Sequence, residues 1–198
     1  MDVPKKIRRM LAGREKRVVL FSNRPLRPSA VLVPIYKKNG EYHVLLTRRT
    51  EELEYHKGQI CFPGGSHHED DGSLKETALG EAYEEVGIRP EDVEILGELD
   101  STGTLTSNFL ITPFVGIIPY PYEFTVSKYE IAELVEVPLS ALADDGNYWE
   151  ETRSVGGVNG KATFFKYKDK VVWGATASVL KQFAELVFKE ADDTANSN

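Results

Sequence analysis

The chain has 198 residues, 41% of them hydrophobic and 28% charged, with a formal net charge of −7 at pH 7. That length supports one domain with a substantial core, and the acidic balance argues against broad nucleic-acid binding, because phosphate backbones are held by clusters of Lys and Arg. The single cysteine, Cys61, excludes an intramolecular disulfide and a cysteine-built zinc site.

The basic start MDVPKKIRRMLAGRE is not followed by an apolar signal region, and no apolar run approaches a membrane span. A cytoplasmic protein with a small-molecule partner, no nucleic acid and no membrane is therefore expected, as a monomer or homodimer. Residues 3–13 read as a short amphipathic helix, with Ile7, Met10 and Leu11 on one side. Two prolines in residues 24–28 resist both helix and central strand, so that stretch is expected to be an irregular connector. Residues 1–29 are thus expected to pack on a main domain spanning 30–190. Residues 30–36 and 42–48 are β-rich, and Asn39-Gly40 between them signals a hairpin. A charged loop at 49–57 leads into a short strand at 60–62, after which Pro63-Gly64-Gly65 is expected to turn the chain. Glycines there let backbone N–H groups approach a ligand closely. His67 and His68 lie in a polar loop with Glu69, Asp70 and Asp71, and are expected to face solvent.

Ser73 followed by Glu76 is a capping box, and Gly87 is a C-terminal stop. Between them Ala78, Leu79, Ala82, Tyr83 and Val86 recur at helical spacing, which predicts a helix over 73–86. Strands at 93–99 and 111–118 flank a polar stretch at 100–108 that is a candidate lining for a cleft. Residues 130–134 lead into a strand at 135–137, and Pro138 opens a short helical segment. Strands follow at 153–158, 162–167 and 171–173, with a turn at 158–161. A closing amphipathic helix spans 175–189, and the polar tail 191–198 is expected to be disordered.

At about 100° per residue, Glu81, Glu84 and Glu85 fall within roughly a 100° arc of the central helix. Like charges at this spacing destabilise a helix by a few tenths of a kcal/mol per pair. A solvated acidic face is the bland reading of such a run. The functional reading is a hard divalent cation, Mg²⁺ or Mn²⁺, which takes oxygen ligands and completes its shell with water and phosphate oxygens. Asp71 is a candidate fourth carboxylate.

The run Leu45-Leu46-Thr47-Arg48-Arg49, then Gly58-Gln59, then Phe62-Pro63-Gly64-Gly65, continues into Glu81-Ala82-Tyr83-Glu84-Glu85-Val86-Gly87-Ile88. This resembles the Nudix box of the Nudix hydrolases, and the upstream part is similar to the signature of their coenzyme A pyrophosphatase branch. The likeness extends to residues 112–116, 130–139 and Trp173-Gly174. Three departures accompany it: Asp71 stands where Glu is usual, eight residues rather than seven separate it from the position usually held by Arg, and that position holds Gly80.

The resemblance implies an α/β fold, a Nudix-type α/β/α sandwich with a mixed β-sheet. It implies metal ligation by Glu81, Glu84 and Glu85 with Asp71 in support, and a further carboxylate from outside the box, Glu130 or Glu133, as ligand or water activator. It makes Arg49, His56, Lys57, Gly64 and Gly65 candidates for substrate binding. The implied reaction is hydrolysis of the diphosphate in coenzyme A or a derivative to 3′,5′-ADP and a 4′-phosphopantetheine product. Two alternatives stand beside it: a Nudix pyrophosphatase for ADP-ribose, NADH or a nucleoside polyphosphate, and a non-catalytic nucleotide-binding module, motivated by Gly80.

Overall fold

The computed structural model describes residues 2–20, 25–53, 56–104, 107–155 and 158–189; the tail at 191–198 lies outside them. In chain order the elements are helix α1 (Val3–Ala12), strands β1 (Val18–Val19), β2 (Arg27–Lys38), β3 (Glu41–Arg49), β4 (Ile60–Cys61) and β5 (Gly64–Ser66), and helix α2 (Leu74–Val86). Strands β6 (Glu94–Glu98), β7 (Ser101–Gly103), β8 (Phe109–Ile117) and β9 (Ile131–Pro138) follow, then helix α3 (Leu139–Leu142). Strands β10 (Tyr148–Val155), β11 (Val158–Tyr167) and β12 (Lys170–Trp173) precede helix α4 (Ala175–Ala184), which runs into a π-helical stretch at Glu185–Lys189.

Among the described residues nine strands form the main sheet, with β1, β7, β8, β2, β3 and β4 side by side and β5, β6 and β9 added on β2, β8 and β3. The pairs β2–β8 and β1–β7 are parallel, whereas β2–β3, β3–β9 and β6–β8 are antiparallel, so the sheet is mixed. Strands β10–β12 form a separate antiparallel sheet. At the centre, β2 is buried from residue 29 through residue 36, as a strand covered on both faces must be. Its odd positions Val31, Val33 and Ile35 share a core with Ile7 and Leu11 of α1 and with Leu180 and Phe183 of α4. Its even positions Leu32 and Tyr36 pack with Ala82 and Val86 of α2 and with Ile88. Period-two alternation in one strand thus supplies both interfaces of an α/β/α sandwich. Burying each such aliphatic side chain contributes roughly 1.5–3 kcal/mol.

Local signals placed several elements closely. Asn39 and Gly40 both have positive φ in the β2–β3 hairpin. Helix α2 is capped by Ser73, whose hydroxyl accepts from the Glu76 N–H, and it stops at left-handed Gly87. Other expectations fail for non-local reasons. Pro28 lies inside β2 rather than in a connector: it is near the strand start, where a missing N–H is tolerated, and its carbonyl accepts from the His67 N–H. Gly64–Ser66 is not a turn but a strand against β2, with Ala30 opposite Gly65. Strand β9 begins at Ile131, because β3 supplies a long partner for it. Asn159-Gly160 lies within β11, opposite Ser154 and Arg153, and not in a turn. Part of the stretch at 100–108 is strand: β7 pairs with β8.

Candidate active site

Helix α2 packs its apolar side under β2 and turns its carboxylates toward the β4–β5 segment. Glu81 sits directly beneath Gly65: a Cβ there would lie 2.6 Å from the carboxyl carbon of Glu81. Gly64 has φ +154°, and a Cβ on it would run into the Ala30 carbonyl and Val31, so only glycine lets this strand pass so close. The hydroxyl of Ser29 donates to the Gly65 carbonyl at 2.7 Å and ties that segment to β2.

Glu85 is 2% exposed, and its Oε2 has no hydrogen-bond partner. Arg49, at the end of β3, lies 3.5 Å from the other oxygen, and its own Nε is buried without a partner. Burial pushes the Glu85 carboxyl up to about 8; Arg49 opposes the rise, whereas the negative charges of Glu81 and Glu130 reinforce it. The Glu81 carboxyl is also raised, first by burial and then by Glu84 and Glu130. Glu84 is exposed. Glu130 reaches this group because its backbone is pinned to the end of β3, where Thr50 N–H donates to the Glu130 carbonyl at 2.8 Å.

The remaining candidates divide. Glu133 is not in this group: Arg48 and Lys170 bind it at 2.9 and 2.8 Å, and Lys170 foremost holds its carboxyl below the usual range. Asp71 accepts from the His68 N–H and the Thr77 hydroxyl, which lower its carboxyl, so it stabilises the approach to α2. His67 is half-buried against the Thr77 hydroxyl rather than solvated, while His68 is exposed. The Cys61 thiol is pushed up to about 11 by burial. Gly80 faces open space, with no described atom within 4 Å of a Cβ placed there.

A cleft of about 600 Å³ opens beside Gly64 and Gly65. Arg49 and His56 line it; Lys57 is exposed on the turn and is not among the described lining residues. The lining also includes residues that sequence reasoning did not single out for binding, chiefly Arg153, Lys161 and Phe164, together with Phe109 from β8. They carry no local motif and meet only through strand pairing.

Among the described residues no three of His, Cys, Asp and Glu are gathered into a ready metal cluster. The donor chemistry nevertheless fits a hard cation. Glu81, Glu84, Glu85 and Glu130 repel one another, and a buried Glu85 oxygen lacks a partner, a deficit that an oxygen-seeking divalent ion relieves.

No helix among the described residues is long and apolar enough to cross a membrane. The Nudix domain model matches residues 25–152. Over 160 residues the chain is 41% identical to the protein named uncharacterized Nudix hydrolase NudL in Yersinia enterocolitica, covering 80% of each. It is 38% identical to the protein of that name in Citrobacter koseri over 158 residues, 80% of this chain and 81% of that one. A crystal structure of a Nudix hydrolase from Alicyclobacillus acidocaldarius is similar over 87% of this chain and 97% of that one, at 16% identity and a TM-score of 0.49. With the domain model covering well over half of its length and a relative at 41% identity aligned over 80% of it, the chain belongs to the Nudix family of pyrophosphatase hydrolases.

Proposed function

We propose that this Nudix hydrolase cleaves the diphosphate of coenzyme A or a derivative in the presence of Mg²⁺ or Mn²⁺, releasing 3′,5′-ADP and a 4′-phosphopantetheine product. The supporting observation is that residues of the upstream signature line one cleft and also touch the carboxylates of the acidic helix. Arg49 touches Glu85, Gly65 roofs Glu81, and both Arg49 and Gly65 line the cleft.

In this reading Glu81, Glu84 and Glu85 hold the cation, with Asp71 steadying the loop ahead of them. A bound divalent ion neutralises diphosphate charge and lowers the pKa of water. Arg49 orients Glu85 and offers its remaining N–H groups to the diphosphate, a role suited to a planar guanidinium. Gly64 and Gly65 allow the backbone to approach phosphate oxygens where any side chain would intrude. Glu130, near Glu81 and Glu85, takes the proton from the attacking water. The phosphorus–oxygen bond to the leaving phosphate breaks as the water oxygen bonds to phosphorus, which balances the reaction as hydrolysis.

The test is incubation of the purified protein with coenzyme A and Mn²⁺, with products identified by mass, alongside ADP-ribose, NADH and nucleoside polyphosphates. Release of 3′,5′-ADP as the fastest reaction is the expected result. Faster turnover of ADP-ribose would overturn the substrate assignment and leave the pyrophosphatase chemistry standing.

A further inference from the structure

The geometry points to the three-stranded sheet β10–β12 as a nucleotide-binding wall that holds the purine base and ribose phosphate of the substrate, which deepens the coenzyme A reading and rests on it. Trp149, Phe164 and Trp173 are register neighbours straight across the three strands. Their rings form one stacked row, with Trp149 and Phe164 centroids 5.1 Å apart at 16° and Phe164 and Trp173 centroids 6.4 Å apart at 21°. A row of near-parallel rings on the outside of a small sheet is unusual for a surface, where 38% and 39% of the two tryptophans remain exposed. Phe164 and Trp173 line the same cleft as Gly64 and Gly65, so the row shares a cavity with the glycine strand that lies over Glu81.

Charge selects the occupant. The chain carries a net −7, yet the described residues lining the cleft include Arg49, Arg153 and Lys161 and no Asp or Glu. The Arg153 guanidinium lies 5.4 Å from the Phe164 ring centre. Glu151 binds Arg153 at 2.6 Å and steadies that cation beside the aromatic row, whereas Lys161, opposite Thr152, pairs with Glu150 at 3.3 Å on the other face of the sheet. Aromatic faces accept a planar base irrespective of its identity, and the adjacent Arg153 guanidinium accepts phosphate. A ligand with both, an adenosine bearing ribose phosphate, matches this wall; a flexible pantetheine arm has no planar face to stack. Most of the wall, including Arg153, Phe164 and Trp173, also lies beyond residue 152, where the Nudix domain model ends. It is therefore a feature by which this chain would choose among diphosphates.

Both tryptophans of the chain stand in this row, so selectively excited tryptophan emission reports on the wall. Adenosine 3′,5′-bisphosphate is expected to change tryptophan emission saturably, and 4′-phosphopantetheine to leave it unchanged. By calorimetry Trp173→Ala should weaken the nucleotide at least about tenfold and Trp173→Phe, which keeps a ring, by no more than about threefold. Arg153→Gln should weaken it by several-fold, and all three variants should bind 4′-phosphopantetheine as the unaltered chain does. Unchanged emission at saturating nucleotide overturns the proposal without recourse to any variant, as does a Trp173→Ala protein that binds the nucleotide normally or loses 4′-phosphopantetheine instead. Trp173-dependent nucleotide binding without cleavage of coenzyme A would keep the wall and remove the coenzyme A reading. Cleavage of coenzyme A with binding indifferent to Trp173 would do the reverse.

Discussion

The two sides of the cleft are built in opposite ways. On the side of helix α2 polar groups are crowded and unsatisfied: a buried Glu85 oxygen and the Arg49 Nε lack partners, Glu81 is wedged under Gly65, and burial first and neighbouring carboxylates second raise the Glu81 and Glu85 carboxyls. On the side of β10–β12 the charges are paired and the rings are stacked. Unmet electrostatic need costs folding free energy and marks where an ion and a reaction belong, whereas satisfied, coplanar groups mark a surface that binds without being changed. The same contrast separates two carboxylates that sequence alone left equivalent. Glu130 acts on the acidic group, and Glu133, three residues on, is consumed by Arg48 and Lys170.

If the contrast is right, removing charge from the unsatisfied side has the largest effect. Glu85→Gln or Glu84→Gln should lower kcat at least about a hundredfold with the fold retained, as judged by steady-state kinetics and circular dichroism. Next comes Gly65→Ala: the atoms nearest its methyl group are the end of the Glu81 side chain, which is free to shift where backbone is not. A loss of about 10–100-fold in kcat with little change in Tm is expected, since misplacement by about 1 Å suffices. An unchanged rate would show that the position of Glu81 is unimportant.

Stability of the metal-free protein should sharpen the comparison further. Glu85 binds its proton more tightly when folded, at about 8, than when unfolded at an ordinary carboxylate value of 4.5. Its contribution is therefore fully present below pH 4.5 and lost as pH rises through 8. Denaturant midpoints in chelator should fall across that window, and Glu85→Gln should flatten the fall; a variant with the unaltered slope would contradict the burial argument. The smallest effect belongs to Gly80→Ala. No described atom crowds the site, so removing a mid-helix glycine should stabilise by about 1 kcal/mol, raising Tm by roughly 2–4 °C in thermal melts.

Helix α2 was legible residue by residue because its determinants are local: the Ser73 cap, the apolar spacing and the Gly87 stop. The β2–β3 hairpin was legible for the same reason, through Asn39-Gly40. Strand β5 was not, since Gly64-Gly65 reads as a turn until β2 is known to lie alongside it. Asn159-Gly160 misled because its strand character comes from pairing with Ser154 and Arg153 of β10, which no local signal announces. Within the site, the spacing of Glu81, Glu84 and Glu85 foretold a shared face but not their unequal burial, which depends on Gly65 and Arg49 arriving from other strands. The aromatic wall was invisible for a related reason: its residues are spread over 25 positions and join only across strands, from Trp149 through Phe164 to Trp173.

The central claim is that the crowded carboxylates of α2 are made tolerable by a divalent cation. Titration of the chelator-treated protein with Mn²⁺ by calorimetry tests it without reference to substrate. The account predicts saturable binding that Glu85→Gln weakens at least about tenfold; equal affinity in the two proteins, or no binding by either, would contradict it.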